Sequence, residues 1–241
     1  PVLSLVFGYN AIALYEYSRT RFTLGRFIGH EMVPGIMHLF ARLRLGGREA
    51  VGTAFFCDLR GYSTLSEQLP PEELSQVLNR YTTAVADVVA KHGGRPIDYA
   101  GDGVFALFEE SRARAAHPLR AVRAALEVRQ GATELVGSSV PREGSAPLDL
   151  GIGIHTGRMV IGVVGAEHHM KLGAVGDAVN VAARVQGLTG QCGCSVLITR
   201  DTYELVKDEV CATCCGTFEV KGREQPVEVF GVDRLRVDED E

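Results

Sequence analysis

Two aspartates, each at the edge of a short apolar run, constrain this chain more than any other feature. Asp58 closes Val-Gly-Thr-Ala-Phe-Phe-Cys-Asp (51–58) and opens Leu-Arg-Gly-Tyr-Ser (59–63). Asp102 sits in Gly-Asp-Gly (101–103), just ahead of Val-Phe-Ala-Leu-Phe (104–108). The apolar runs read as buried strands. A carboxylate stranded beside such a strand is costly to desolvate unless something compensates it. A divalent cation that prefers hard oxygen ligands, Mg²⁺ or Mn²⁺, is one such compensation. The competing reading is a pair of turn aspartates, because Asp-Gly is an ordinary hairpin turn. The two aspartates alone leave both readings open.

The 241 residues suffice for one domain with a flanking segment, and 46% apolar residues suffice for a full core. With 25 basic and 30 acidic residues the formal charge is 25 − 30 = −5. That balance offers no basic face for nucleic acid, and the absence of Trp argues against a base-stacking platform. The cysteines (57, 192, 194, 211, 214 and 215) are not spread like a disulfide framework. They also lack a second pair at zinc-ligand spacing, so reduced cytosolic thiols are expected.

Residues 1–17 begin with an uncharged apolar run, Pro1 to Tyr15, followed by Arg19, Arg21 and Arg26. The run is shorter than a full bilayer span. It reads as the end of a transmembrane helix with arginines on the cytoplasmic side, or alternatively as an amphipathic helix packed on its own domain. Residues 18–48 read as a helical juxtamembrane linker, with apolar residues at three- and four-residue steps over 22–45. Pro34-Gly35 should bend that helix and Gly46-Gly47 should end it.

Residues 49–235 read as a mixed domain. A strand over 51–57 precedes a helix from about 66 to 91, which a capping box at Thr64-x-x-Glu67 opens and Pro70-Pro71 interrupts. Strands near 95–99 and 104–108 flank the Gly-Asp-Gly turn. A helix over 112–130 and a loop over 137–147 follow. Strands over 148–154 and 159–164 flank His155-Thr-Gly-Arg158, with His155 as a turn residue. A helix over 178–187 and later short strands complete the order. The class is α+β, with a ferredoxin-like βαββαβ core, extra strands and a helical linker ahead of it. The acidic end, 236–241, reads as a frayed tail.

Five segments in order carry a resemblance: Phe56-Cys-Asp58-Leu-Arg-Gly61-Tyr62-Ser63, Gly101-Asp102-Gly103, Gly151-Ile-Gly-Ile-His-Thr-Gly157-Arg158, Gly176-Asp177-Ala-Val-Asn180-Val-Ala-Ala-Arg184 and Val220-Lys221-Gly222. Over roughly 50–232 the chain resembles the catalytic domain of class III nucleotide cyclases. The resemblance implies attack of a ribose 3′-hydroxyl on the α-phosphorus of ATP or GTP, with pyrophosphate leaving. Asp58 and Asp102 would hold two Mg²⁺ or Mn²⁺ ions. The backbone at Gly61, Tyr62 and Ser63 would meet phosphate oxygens, with a helix N-terminus behind it. Arg158 and Lys221 would balance the triphosphate. Asn180 would orient the ribose, and Arg184, one turn later on the same helix face, would stabilise charge on the α-phosphate. The resemblance also implies a homodimer with shared sites, tethered to the cytoplasmic face of the membrane through its upstream segment.

The base-reading positions depart from the adenine pattern. Adenine-specific members carry Lys where Asp98 stands, and Asp or Thr where Gly173 stands. An acidic residue plus a small one is closer to the guanine arrangement, although guanylyl members carry Glu there. Guanine offers two adjacent donors that one carboxylate can accept, whereas adenine offers a donor and an acceptor. The base reading therefore leans to GTP and leaves ATP open. Two other readings compete with a purine nucleotide cyclase. One is a catalytically silent nucleotide-binding or dimerisation module, which would be supported by loss of Asp58, Asp102, Asn180 or Arg184; none is lost. The other is a cyclic-dinucleotide synthase, whose Gly-Gly-Asp/Glu-Glu-Phe signature is absent.

Overall fold

Strand β1 (Gly46–Arg60) runs through the middle of a sheet, and its stretch 52–57 is covered on both faces, which is why that stretch reads as a nearly unbroken apolar run. Phe55, Cys57 and Leu59 point to one apolar cluster, and Ala54 to another on the opposite face. The computed structural model describes residues 18–19, 46–110, 116–137, 149–166, 169–220 and 225–236. The expected membrane-spanning end, nearly all of the linker helix, most of the 137–147 loop, Lys221 and the acidic tail from 237 onward lie outside the described residues; Ser18 and Arg19 are helical. Among the described residues no helix is long and apolar enough to cross a membrane.

After β1 come α1 (Tyr62–Gln68), α2 (Pro71–Lys91), β2 (Arg95–Ala100), β3 (Gly103–Glu109), α3 (His117–Gly137) and β4 (Asp149–Ala166). They are followed by β5 (His169–Val175), α4 (Asp177–Gly187), α5 (Thr189–Cys192), β6 (Val196–Thr199), α6 (Arg200–Val206), β7 (Val210–Phe218) and β8 (Val227–Leu235). The sheet order is β2-β3-β1-β4-β6-β8-β7, with β5 beside β4. Its first four strands stand in the order expected of the βαββαβ core. β4 and β6 are parallel; β1–β3, β2–β3, β6–β8 and β7–β8 are antiparallel. The chain divides into a larger unit, Gly47–Ile161 with Gly173–Glu241, and a smaller one, Pro1–Gly46 with Gly162–Leu172.

Two local expectations are corrected. The helix expected from about 66 starts at Tyr62, and the interruption expected at Pro70-Pro71 is a full break between two helices. Pro70 and Pro71 separate them, and Pro71 takes the first helical position of α2, where its missing N–H costs nothing. Thr64 therefore lies inside α1 and caps nothing. The turn expected at His155–Arg158 is absent, because β4 continues unbroken from 149 to 166.

α2 buries Val77, Tyr81, Val85 and Val89, one side chain per turn, against β1 and β3. Phe55 and Phe108 meet there with ring centroids 6.1 Å apart. Burying each such side chain stabilises the fold by about 1.5–3 kcal/mol. On the opposite face α4 lies against β4, and its contact depends on missing side chains. A β carbon at Gly153 would stand 2.2 Å from the Gln186 nitrogen, and one at Gly151 would stand 2.4 Å from the Thr189 hydroxyl. The helix backbone rests directly on the strand.

A chain of buried polar side chains ties these layers. His117 Nδ1 meets the Thr53 hydroxyl at 2.7 Å, and Thr53 meets Thr156 at 2.9 Å. Thr202 donates to Thr156 at 3.1 Å and meets Thr199 at 3.4 Å, and Thr199 meets His155 Nδ1 at 2.8 Å. His155 is thus a buried strand residue with a satisfied ring nitrogen rather than a turn residue.

Candidate active site

The end of β1 and the start of β3 bring the two sequence-distant aspartates together. Cys57 pairs with Val104 across the antiparallel ladder, so Asp58 arrives opposite Gly103, next to Asp102. The Asp102 carboxyl acts directly on Asp58. Burial, reinforced by the Asp102 carboxyl, pushes the Asp58 carboxyl up to about 7; the Leu59 N–H, 3.2 Å away, pulls weakly the other way. Among the described residues no third His, Cys, Asp or Glu completes a metal cage around them. Two hard carboxylates that leave most of a coordination sphere free suit a cation that keeps water and takes phosphate oxygens, as Mg²⁺ does.

Cys57, just before Asp58, takes no part. It is fully buried, accepts the Tyr81 phenol at 3.2 Å, and burial pushes its thiol up to about 12. The turns around the aspartates are open instead. Gly61 (φ +81°) and Gly101 (φ +63°) adopt left-handed backbone, and a β carbon at either would meet nothing within 4 Å. Gly61 leads into Tyr62 and Ser63, whose amides precede the first α1 hydrogen bond, Leu65 N–H to the Gly61 carbonyl at 3.0 Å. α1 spans only seven residues, so the amides rather than a long helix dipole are what this loop offers.

The second group of site residues lies on the α4 face of the sheet. Asn180 is exposed and Arg184 half-buried, one turn apart on α4, with Asp177 in its first turn and Arg184 in its last, as the helix dipole favours. Asp98 lies on β2 opposite Phe105, which stacks on Phe56 at 4.6 Å. Its carboxylate accepts the Tyr99 N–H at 3.1 Å. Gly173 is buried within β5 rather than in a turn. Ile97, Ala174 and Val179, the sequence neighbours of Asp98, Gly173 and Asn180, all belong to the same apolar cluster. Arg158 is not brought to the aspartate pair: it ion-pairs with Glu49 at 3.1 Å, at the opposite end of β1. Lys221 lies outside the described residues.

The candidate ligand-binding residues are legible in the sequence motifs, whereas the residues that seat them are not. Gly153 sets the depth of α4, and Gly151 makes room for the Thr189 side chain at the start of α5. The Gly-x-Gly spacing in a strand otherwise apolar was the available signal, since alternate bare positions mark a close backbone approach.

Residues 48–233 match the family described as the adenylate and guanylate cyclase catalytic domain. The chain belongs to that family. It is 35% identical over 212 residues to adenylate cyclase 1 of Rhizobium meliloti, covering 88% of this chain and 32% of that protein. It is 33% identical over 184 residues to an adenylate cyclase of Anabaena cylindrica, covering 75% of this chain and 34% of the other. The chain thus spans about a third of the length of these relatives. Among solved structures it resembles the adenylyl cyclase CyaB from P. aeruginosa, with a TM-score of 0.73 at 30% identity over 80% of this chain and 99% of that one. The guanylyl cyclase Cya2 gives a TM-score of 0.70 at 32% identity over 81% and 98%. This cyclase domain therefore has the expected α+β class III fold.

Proposed function

We propose that this cyclase domain converts a purine nucleoside triphosphate to its 3′,5′-cyclic monophosphate and pyrophosphate, at two equivalent sites in a homodimer. The observation that carries the reading is the Asp58–Asp102 pair: two adjoining carboxylates, one driven far from its ordinary titration range, beside two open glycine turns. A carboxylate pair of this kind suits divalent cations. Two Mg²⁺ or Mn²⁺ ions held there would supply Lewis acidity to the attacking 3′-hydroxyl and to the phosphates.

The chain's own residues do the rest. Amides of Gly61, Tyr62 and Ser63 receive phosphate oxygens. Asn180 orients the ribose, and Arg184 places a fixed positive charge where negative charge grows on the α-phosphate. Lys221 and Arg158 balance the remaining phosphate charge, for which Arg158 must release Glu49. One protomer contributes the aspartates and its partner contributes Asn180, Arg184 and Lys221. Asp98 and Gly173 face the base. The Asp98 carboxylate favours guanine, whose two donors it accepts together, while the names of the two curated relatives favour adenine. Arginines after the apolar run 1–15 favour a tether that leaves the domain on the cytoplasmic side.

The deciding experiment is turnover of purified protein with Mn²⁺ and either ATP or GTP, with products identified by mass spectrometry. Formation of a cyclic monophosphate that Asp58→Ala abolishes is expected. A folded wild-type dimer that binds nucleotide and forms no cyclic product would establish the silent binding module instead.

A further inference from the structure

We propose that Cys194 and Cys215 are a peroxide-sensitive dithiol that closes to a disulfide and slows the enzyme. All six cysteines are free thiols in this structure. Cys194 lies just ahead of β6 and Cys215 lies in β7, two strands that do not touch because β8 runs between them. Their sulfurs are nevertheless 3.9 Å apart.

Two backbone features produce that approach. Gly231 of β8 pairs with Leu197 on one side and Thr213 on the other, and a β carbon there would stand 2.6 Å from Cys194 Sγ and 3.2 Å from Cys215 Sγ. The thiols meet over the bare position. Cys215 also sits in a β-bulge, where the ladder steps from Cys214–Phe230 to Gly216–Val229, which frees it from strict strand alternation. The neighbouring Cys214 aims instead at the Glu228 carboxylate. Cys192 also reaches Cys215 and is the competing partner.

A disulfide is about 2.05 Å long, so the sulfurs must close by nearly half their present separation. Gly193, in left-handed backbone beside Cys194, gives that segment a place to bend. The Cys194 thiolate attacks one peroxide oxygen; the O–O bond breaks and the departing hydroxide takes a proton to become water. The Cys215 thiolate then attacks the sulfenic sulfur and releases a second hydroxide, which is also protonated. Two thiols and one hydrogen peroxide give one disulfide and two waters. Burial raises both thiols, which slows attack but withholds the thiolate stabilisation that favours reduction.

The consequence for turnover follows from what the two cysteines hold. The Cys194 carbonyl accepts the Arg60 guanidinium at 2.8 Å, and Arg60 stands between Asp58 and Gly61. Cys215 lies on the strand that leads toward Lys221. Closing the bond pulls, through the Cys194 carbonyl, on the Arg60 contact beside the aspartate loop.

The test oxidises the full chain with hydrogen peroxide, maps crosslinked peptides under non-reducing conditions, and measures Tm and kcat before and after dithiothreitol. A Cys194–Cys215 peptide, a higher Tm, and a kcat lower on the order of tenfold and restored by the reductant are expected. Cys215→Ser should retain basal activity and lose the oxidative inhibition; Cys194→Ser serves if that variant does not fold. A folded, oxidised protein without this peptide, or with Cys192–Cys215 in its place, would overturn the proposal, as would inhibition that persists unchanged in Cys215→Ser. The inhibitory half rests on the cyclase reading, whereas the peptide map does not, so the two fail separately.

Discussion

Gly153 lies directly beneath Ala182: a β carbon at 153 would stand 2.5 Å from the Ala182 carbonyl oxygen. The helix that carries Asn180 and Arg184 is therefore seated by its own backbone on β4, at a depth set by a missing methyl group. Gly153→Ala should lift α4, destabilise the domain by about 1–3 kcal/mol, and lower kcat by up to roughly a hundredfold. Gly187→Ala is the control. It ends the same helix, and its β carbon would meet nothing within 4 Å, so Tm and kcat should stay near wild type. Equal losses in both variants would show that α4 is not positioned by this contact.

Metal and pH should act on stability through the same carboxyl group. Asp58 rises from 3.8 to about 7 on folding, so the folded chain holds this proton more tightly than the unfolded chain. Its contribution is full below about pH 3.8 and is lost as pH rises through about 7. Metal-free protein should therefore lose Tm between pH 5 and pH 8, by calorimetry or dye binding. Mg²⁺ or Mn²⁺ should raise Tm more at the upper end, where it neutralises the ionised pair. Asp58→Asn should flatten both effects. A metal-induced shift in Asp58→Asn as large as in wild type would place the cation elsewhere.

The sequence foretold what alternation and punctuation can carry. The Asp58 strand, the Gly-Asp-Gly turn, the helix that ends at Lys91 and the Asn180–Arg184 helix all follow from apolar spacing between glycines and prolines. The turn expected at His155-Thr-Gly-Arg158 failed because polar residues there looked solvent-facing. They lie instead in a continuous strand, where His155, Thr156, Thr53, Thr199, Thr202 and His117 satisfy one another inside the core. That pairing joins residues more than a hundred positions apart in one case and is invisible to any local window. Thr64-x-x-Glu67 misled for the opposite reason: a local capping signal fell inside α1, whose start is set by the Gly61 turn. The Arg158–Glu49 pair was equally illegible, since only the β1–β4 arrangement places those charges together.

Shared sites predict complementation. Asp58→Ala and Arg184→Ala chains should each be inactive as homodimers. Mixed under conditions that exchange subunits, they form heterodimers in which one interfacial site draws Asp58 and Asp102 from one chain and Asn180 and Arg184 from the other, all intact. Recovered cyclase activity in the mixture is expected. Heterodimers demonstrated by native mass spectrometry without recovered activity would mean that each protomer carries a complete site.

Asp98 should decide the base. It lies on the face of β2 opposite Phe105, beside the cluster that also seats Gly173 and Asn180, and one of its oxygens already accepts the Tyr99 amide. If the carboxylate pairs with the two guanine donors, Asp98→Lys should lower kcat/KM for GTP and raise it for ATP. Each charge-assisted hydrogen bond lost costs about 1.5–3 kcal/mol, roughly ten- to a hundredfold in kcat/KM. Asp98→Glu, one methylene longer, should raise GTP use, because the carboxylate then reaches the base free of its local amide. The measurement is kcat/KM for both nucleotides in wild type and both variants. A wild type that strongly prefers ATP, with a ratio unmoved by either substitution, would make Asp98 a strand residue that takes no part in reading the base. The base would then be read by groups other than the β2 carboxylate.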